Sequence, residues 1–306
     1  MGLISDFTDA IMDSIKNLLS DAISSSMSCC KDLLVMGLKP NSGEMTGLFD
    51  KFLYQDPSEF TGSDAADATK VWDIIQSITD NAVVPIAGGI FGIFVVYDLI
   101  YMVMQGNNFR EFDSSIFIKW ILKTVCGIIL ISNITYITMG LLSIGTTVAS
   151  AANTVLFGSD GFVTDISTPS VGSLSKHSIG YLCLCWLVSG FINIGVIITL
   201  AFIIVTLASR IIEIFMYVGV SPIAFVSFAN TETKQTGQNW LRNILALSFQ
   251  GLFISIALGI FLVLFNNFCK NIGSMMSMTI LLGFTIALLF TVLRSGQISK
   301  SIFNAH

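Results

Sequence analysis

The sequence predicts an all-α, polytopic helical membrane protein: about five transmembrane helices, a re-entrant or interfacial segment, and an N-terminal amphipathic helical region. Three observations carry that expectation. The 306 residues are 53% hydrophobic and only 11% charged, with a mean hydropathy of +0.79, whereas ordinary soluble domains carry roughly 25% charged residues. A chain of this length cannot hide so much apolar surface in one core, so a bilayer must be part of its solvent. Apolar runs at 82–104, 116–144, 179–208 and 243–265, with a shorter one at 275–293, reach the roughly 20 helical residues that a hydrocarbon core requires. The charged residues, finally, gather mostly between these runs.

Residues 1–78 form an acidic region, with five lysines against twelve carboxylates. Within it Ile4, Phe7, Ile11, Ile15, Leu18 and Leu19 recur at helical spacing opposite Asp6, Asp9, Asp13 and Lys16, which predicts an amphipathic helix. Packing on the rest of the protein is favoured over lying on a membrane surface, where such helices prefer basic polar faces. Acidic residues stand where a cleavable signal would carry positive charge, so insertion is expected to rely on an internal span. Residues 39–65, rich in Gly and Pro, read as loop.

The stretch 211–229 is apolar enough to raise the question of a sixth span, and the positive-inside rule arbitrates. If it does not cross and the N-terminus lies outside, the inner side holds Arg110, Lys119, Lys123, Arg210, Lys234, Arg242, Arg294 and Lys300. Outside, beyond the acidic region, lie only Lys176 and Lys270; a sixth crossing would divide these ten evenly. The expected organisation is therefore an extracytoplasmic region 1–78, a transmembrane domain 79–296 and a cytoplasmic tail 297–306. Arg210 and Glu213, three residues apart, are expected to form an ion pair at the membrane edge. Gly219 and Pro222 follow as a hinge, with 211–229 re-entrant or interfacial and covered by protein or a water-filled cavity.

Other polar residues interrupt the runs. Asp98 falls about as deep in its span as Lys123 does in the next, and a carboxylate there needs a partner, so Asp98 is expected to pair with Lys123 or Lys119. Asn193 and Gln250 either pack helices together or line a conduit. Cys126, Cys183 and Cys185 lie inside spans as small apolar groups, and with Cys29, Cys30 and Cys269 they form no evident disulfide framework. No nucleotide-binding, metalloprotease, hydrolase or dinucleotide motif is present, so neither catalytic residues nor cofactor nor metal are expected. Fifteen dispersed basic residues make no nucleic-acid stripe.

An acidic N-terminal region, five spans, a long central span ending in "ASRIIEIFMYVGVSPIAFVSFAN" and the polar stretch "TETKQTGQNWLRNILALSFQ" together resemble the polytopic channel subunit of type IV secretion and conjugation machines. This is the TrbL (VirB-six) family, in its Gram-positive form. Arg210, Pro222, Gly237, Trp240 and Arg242 match its pattern, over about residues 80–295. The resemblance implies a non-enzymatic, homo-oligomeric subunit of a DNA-transfer channel in the bacterial cytoplasmic membrane. Its partners would be energising ATPases, bitopic scaffold subunits and the coupling protein, with relaxase-bound single-stranded DNA passing only transiently. Gly237, Trp240 and Arg242 would then belong to a cytoplasmic docking loop. Four arginines against eleven lysines suit an AT-rich genome, in keeping with such a host. The alternative is a secondary transporter or ion channel with a midplane polar site, but only one broken region is evident, and no second half repeats it.

Overall fold

The computed structural model describes residues 2–38, 52–61, 69–105, 114–157, 177–230, 232–270 and 274–305. Every regular element among them is helical. In order these are α1 (Gly2–Leu38), a 3-10 turn at Pro57–Glu59, α2 (Val71–Ile78), a π turn at Thr79–Val83, α3 (Val84–Gln105), α4 (Ser114–Phe157), α5 (Ile179–Gly219), α6 (Ser221–Val226), α7 (Lys234–Cys269) and α8 (Met275–Ile302). Among the described residues five stretches are long and apolar enough to cross a membrane: Val71–Met104, Phe117–Leu156, Ile179–Gly219, Lys234–Cys269 and Met275–Ile302. They coincide with the five apolar runs, all but residue 116 falling inside them, and each is longer than its run. The expected tail 297–306 is largely the end of α8, and the expected loop 39–65 lies outside the described residues apart from 52–61.

Two prolines explain the irregular places. Pro85 has no N–H to return to the carbonyl four residues back, and just before it the helix widens, the Val84 N–H bonding to the Thr79 carbonyl five residues away. Pro222 likewise cannot continue α5, whose run ends at Gly219, and it sits in the first turn of α6. The stretch 211–229 therefore divides: α5 continues straight through Arg210 and Glu213, and only a six-residue helix follows the break. Ser221, Pro222, Ala224 and Val226 are buried, so this short helix is covered by protein. Val226 joins a core with Ala87, Phe91 and Ile131 from α3 and α4.

The chain forms two compact units, and α4, α5, α7 and α8 each contribute residues to both. One unit comprises 1–53, 149–208 and 252–295. In it α1 lies against α5: the Asn193 amide donates to the Ser26 carbonyl at 2.9 Å and to its hydroxyl at 2.7 Å. The face of α1 that is buried is Ile23, Met27, Cys30 and Leu34, spaced by three and four residues. The first half of α1 corrects the sequence expectation, because Phe7 and Leu18 are 70% and 69% exposed and Ile11 and Ile15 are exposed too. The packing stripe runs later, through a segment whose serines and cysteines mask it in a hydropathy reading. In the same unit α5 and α8 run alongside each other, with Met275 N–H on the Tyr181 hydroxyl and the Thr199 hydroxyl directed at the Thr285 carbonyl.

The other unit comprises 54–148, 209–251 and 296–306. Trp72 of α2 meets Tyr136 of α4 edge to face, and Gln76 donates to the same tyrosine hydroxyl. The hydroxyl of Thr79, in the π turn, donates to Ile75 O at 2.8 Å and lies 3.4 Å from Gly219 O, a carbonyl left without a helical partner by the break after α5. Thr79 is fully buried. Thr79→Val is therefore expected to lower stability by about 1 kcal/mol, read as a fall in the thermal unfolding midpoint of the detergent-solubilised protein. Asn304, with φ 50°, closes α8: the Ala305 N–H reaches back to the Lys300 carbonyl, capping the helix end.

Candidate functional site

The polar residues of the second unit converge on one turn of α7, Ala246 to Gly251. Arg210 extends from α5 and is only 3% exposed. Its Nε donates to Leu247 O at 3.1 Å and its Nη2 to Ser248 O at 3.3 Å. The Ser299 hydroxyl of α8 donates to Ala246 O. Ser248 in turn donates from its hydroxyl to Leu141 O and Leu142 O of α4, at 3.1 and 3.3 Å. Three successive carbonyls of one helix thus accept bonds from side chains of two neighbours, using the second lone pair that a helical carbonyl keeps. Four helices are tied at one level by groups that are almost entirely buried.

Three glycines permit this approach. A Cβ on Gly145 would stand 2.0 Å from the Ser248 hydroxyl and 2.4 Å from its carbonyl oxygen. One on Gly251 would lie 3.0 Å from the Arg210 guanidinium, and one on Gly296 would lie 3.3 Å from the Gln250 amide. Gly145 alone meets backbone, which cannot swing away. Small residues at such crossings are what lets helix backbones pack closely in membranes.

This arrangement corrects the expected pair of Arg210 with Glu213. Residues three apart on a helix point about 60° away from each other, and Arg210 turns inward to α7 while Glu213 stays half-buried to one side. Glu213 has no hydrogen bond or ion pair with any described residue. A guanidinium has five donors and no acceptor, so neighbouring carbonyls can satisfy it without an acid.

The other named residues fall as follows. Lys123 contacts the Asp98 carboxylate and also donates to Ala229 O at 3.0 Å, linking α3 and α4 to the chain just after α6. Lys119 is exposed on α4 and makes no ion pair with a described residue. Asn193 belongs to the α1 contact in the first unit, where its Oδ1 is buried without a partner among the described residues. Gln250 is buried beside Gly296. Gly219 is tolerant, since a Cβ there would make only ordinary contacts with Ile75 and Thr79; the break belongs to Pro222.

Gly237, Trp240 and Arg242 are not on a loop. Helix α7 begins at Lys234, so all three lie in its first turns. The polar composition of 230–243 suggested loop, but Lys and Gln are good helix formers. Trp240 is buried, its Nε1 donating to Tyr217 O at 3.4 Å, and Gly237 lies where a Cβ would be 2.7 Å from the Phe228 ring. Arg242 reaches Asn304 O at 3.5 Å. Sequence reasoning missed Gly145, Ser248, Ser299 and Thr79. The available signal was weak: small polar or glycine positions inside apolar runs.

A family model described as TrbL/VirB6 plasmid conjugal transfer like protein matches residues 57–222, more than half of the chain. The chain belongs to this family. The match takes in Arg210 and Pro222, and it ends before Gly237, Trp240 and Arg242. It begins at Pro57, well ahead of the first apolar run, so part of the acidic N-terminal region is family sequence too. No curated protein and no solved structure matches the chain. Family membership and five membrane-length helices make this a multi-pass membrane subunit of a conjugal transfer system.

Proposed function

We propose that the chain is a channel or scaffold subunit of a type IV secretion machine that helps move relaxase-bound single-stranded DNA across the cytoplasmic membrane. The family match over residues 57–222 is the observation that carries this reading. No chemistry is assigned to the chain, and energy would come from partner ATPases. Bitopic scaffold subunits, the coupling protein and further copies of the chain complete the proposed surroundings, with DNA passing only transiently. The Arg210 junction would then serve as a rigid clasp on which forces from partners act, and the Trp240–Arg242 turn, packed rather than loose, as part of its inner surface.

The test is genetic. In-frame deletion from the native element is expected to abolish DNA transfer into recipient cells without slowing donor growth, and a complementing copy to restore it. Undiminished transfer would sink the reading and return attention to a transported solute. Orientation is tested separately. Thr236 is exposed in the first turn of α7, and the proposed topology puts it in the cytosol. A cysteine there should resist a membrane-impermeant thiol reagent in intact cells and react after lysis. The test replaces the exposed Cys29, Cys126 and Cys183. Cys30 needs no such care: burial, with Cys269 and Cys29 nearby, pushes its thiol well above the usual range, so little thiolate exists to react.

A further inference from the structure

Helix α1 is not among the five helices apolar enough to cross a bilayer, yet it packs against one of them inside the first unit. Its level there can be read from α8. The apolar run 275–293 makes about 28 Å of helix, close to the roughly 30 Å of a hydrocarbon core. Thr285 therefore marks the middle of the bilayer, and the Thr199 hydroxyl of α5 is directed at its carbonyl. Asn193 precedes Thr199 by six residues, at most about 9 Å of helix, and any tilt of α5 brings it closer to the middle. Half of the core is about 15 Å. The Ser26 carbonyl and hydroxyl that accept from the Asn193 amide thus lie inside the hydrocarbon layer.

The helix also has a direction. Four residues after Ser26, Cys30 is fully buried with Cys269, the last residue of α7, nearby. Six residues beyond Cys269, the Met275 N–H meets the Tyr181 hydroxyl at the start of α5. Cys30 therefore lies toward the end where α7 passes to α8, and Asp21 lies deeper. Between these levels α1 carries two opposite faces. Ile23, Met27, Cys30 and Leu34 are buried. Asp21, Ser25, Ser28 and Asp32 repeat the same spacing displaced by two residues, about 200° around the helix. Of these Asp21, Ser25 and Asp32 are exposed and Ser28 is half-buried. Carboxylates at such depth face a bundle interior or a water-filled cavity, not acyl chains.

We infer that the Asp21, Ser25, Ser28 and Asp32 face of α1 lines an aqueous vestibule within the bilayer, open on the side of the α7–α8 turn and selective for cations. Its length fits. From Asp21 to Asp32 is about 16 Å of helix, the depth of one hydrocarbon leaflet. With Ser26 held at its level, an upright α1 sets Asp32 at the headgroups and Asp21 near the middle. Carboxylates on the wall concentrate cations and repel phosphate, so the occupants are water and small cations, not nucleic acid. The inference goes beyond the conjugation reading and does not depend on it.

The test uses the full chain in open membrane fragments, where reagent reaches both faces, with the exposed Cys29, Cys126 and Cys183 replaced by serine. Asp21→Cys, Ser25→Cys and Ser28→Cys, made singly, should each react with a cationic methanethiosulfonate. Ile197→Cys, at an exposed apolar position of α5 two residues from Thr199, should react only after the membrane is dissolved in denaturing detergent. Ser26→Cys with Asn193→Cys should cross-link under a lipid-soluble oxidant, which places α1 at the level of α5. At Ser25→Cys an anionic reagent of the same size should react severalfold more slowly than the cationic one, and Asp21→Asn with Asp32→Asn should abolish that ratio. Ser25→Cys and Ser28→Cys exchange a single atom, so silence there is not misfolding. Silent stripe positions, no cross-link, a reactive Ile197→Cys in intact membrane or an unchanged ratio in the double variant would each overturn the vestibule. Transfer counts for the deletion are scored independently. Transfer lost with a silent stripe discards the vestibule and leaves the conjugation reading standing; undiminished transfer with a reactive stripe does the reverse.

Discussion

Arg210→Glu is expected to dismantle the α7 junction. The new carboxylate would face Leu247 O and Ser248 O, the carbonyls that now accept from the guanidinium at 3.1 and 3.3 Å. Acceptor would meet acceptor in a site only 3% exposed for the present residue. An uncompensated buried charge costs about 3–5 kcal/mol, a large part of a typical domain's stability. Loss of membrane-integrated protein, and a thermal midpoint too low to measure, are the expected readings. Arg210→Met should behave oppositely. The two carbonyls keep their own helical N–H partners, so no acceptor is orphaned, and replacing a buried charge by an apolar group of similar length is often neutral or stabilising. A well-folded Arg210→Met protein that no longer supports DNA transfer would show that the guanidinium has a role beyond holding the fold. A folded Arg210→Glu protein would show that the junction is not as closed as the structure indicates.

Gly145→Ala is expected to be the most damaging methyl group that can be added to this chain's described glycines. Its Cβ would fall 2.4 Å from the Ser248 carbonyl oxygen and 2.6 Å from the carbonyl carbon, so α4 and α7 must part. Forced overpacking costs about 1–3 kcal/mol and occasionally more. Ser248→Ala should not rescue it, since the obstacle is backbone. Gly251→Ala should cost less, because its contact is the flexible end of Arg210 at 3.0 Å. Gly140→Ala, on the same helix as Gly145 with nothing within 4 Å, should be neutral or gain up to about 1 kcal/mol from helix propensity. Thermal midpoints of the three variants in detergent test that order, and equal midpoints for Gly145→Ala and Gly140→Ala would contradict the close crossing.

Much of the architecture was legible in the residues. Hydrocarbon thickness imposes a minimum length on an apolar run, so five runs announced five helices, and Pro222 announced the break after Gly219. The family could be recognised from residues about 80–295; the match over 57–222 takes in Arg210 and Pro222 and ends before Gly237, Trp240 and Arg242. Where helices end was less legible. Hydropathy falls where charges begin, but helical hydrogen bonding continues through Arg210 and Glu213 to Gly219 and starts at Lys234 inside a polar stretch.

Partners were the hardest to read. Spacing along one helix suggested that Arg210 would meet Glu213, since only neighbours in sequence are visible there. Which carbonyl a guanidinium reaches depends on which helix lies alongside, and α7 brings Leu247 and Ser248 to it from thirty-seven and thirty-eight residues away. Ser26 reaches Asn193 across 167 residues in the same manner. Composition and run length therefore determined by themselves that this chain lives in a bilayer and how many times it is able to cross. Tertiary structure alone decided that a buried arginine is satisfied by backbone instead of by an acid, because burial strips away water and gives each donor to the nearest acceptor that packing supplies.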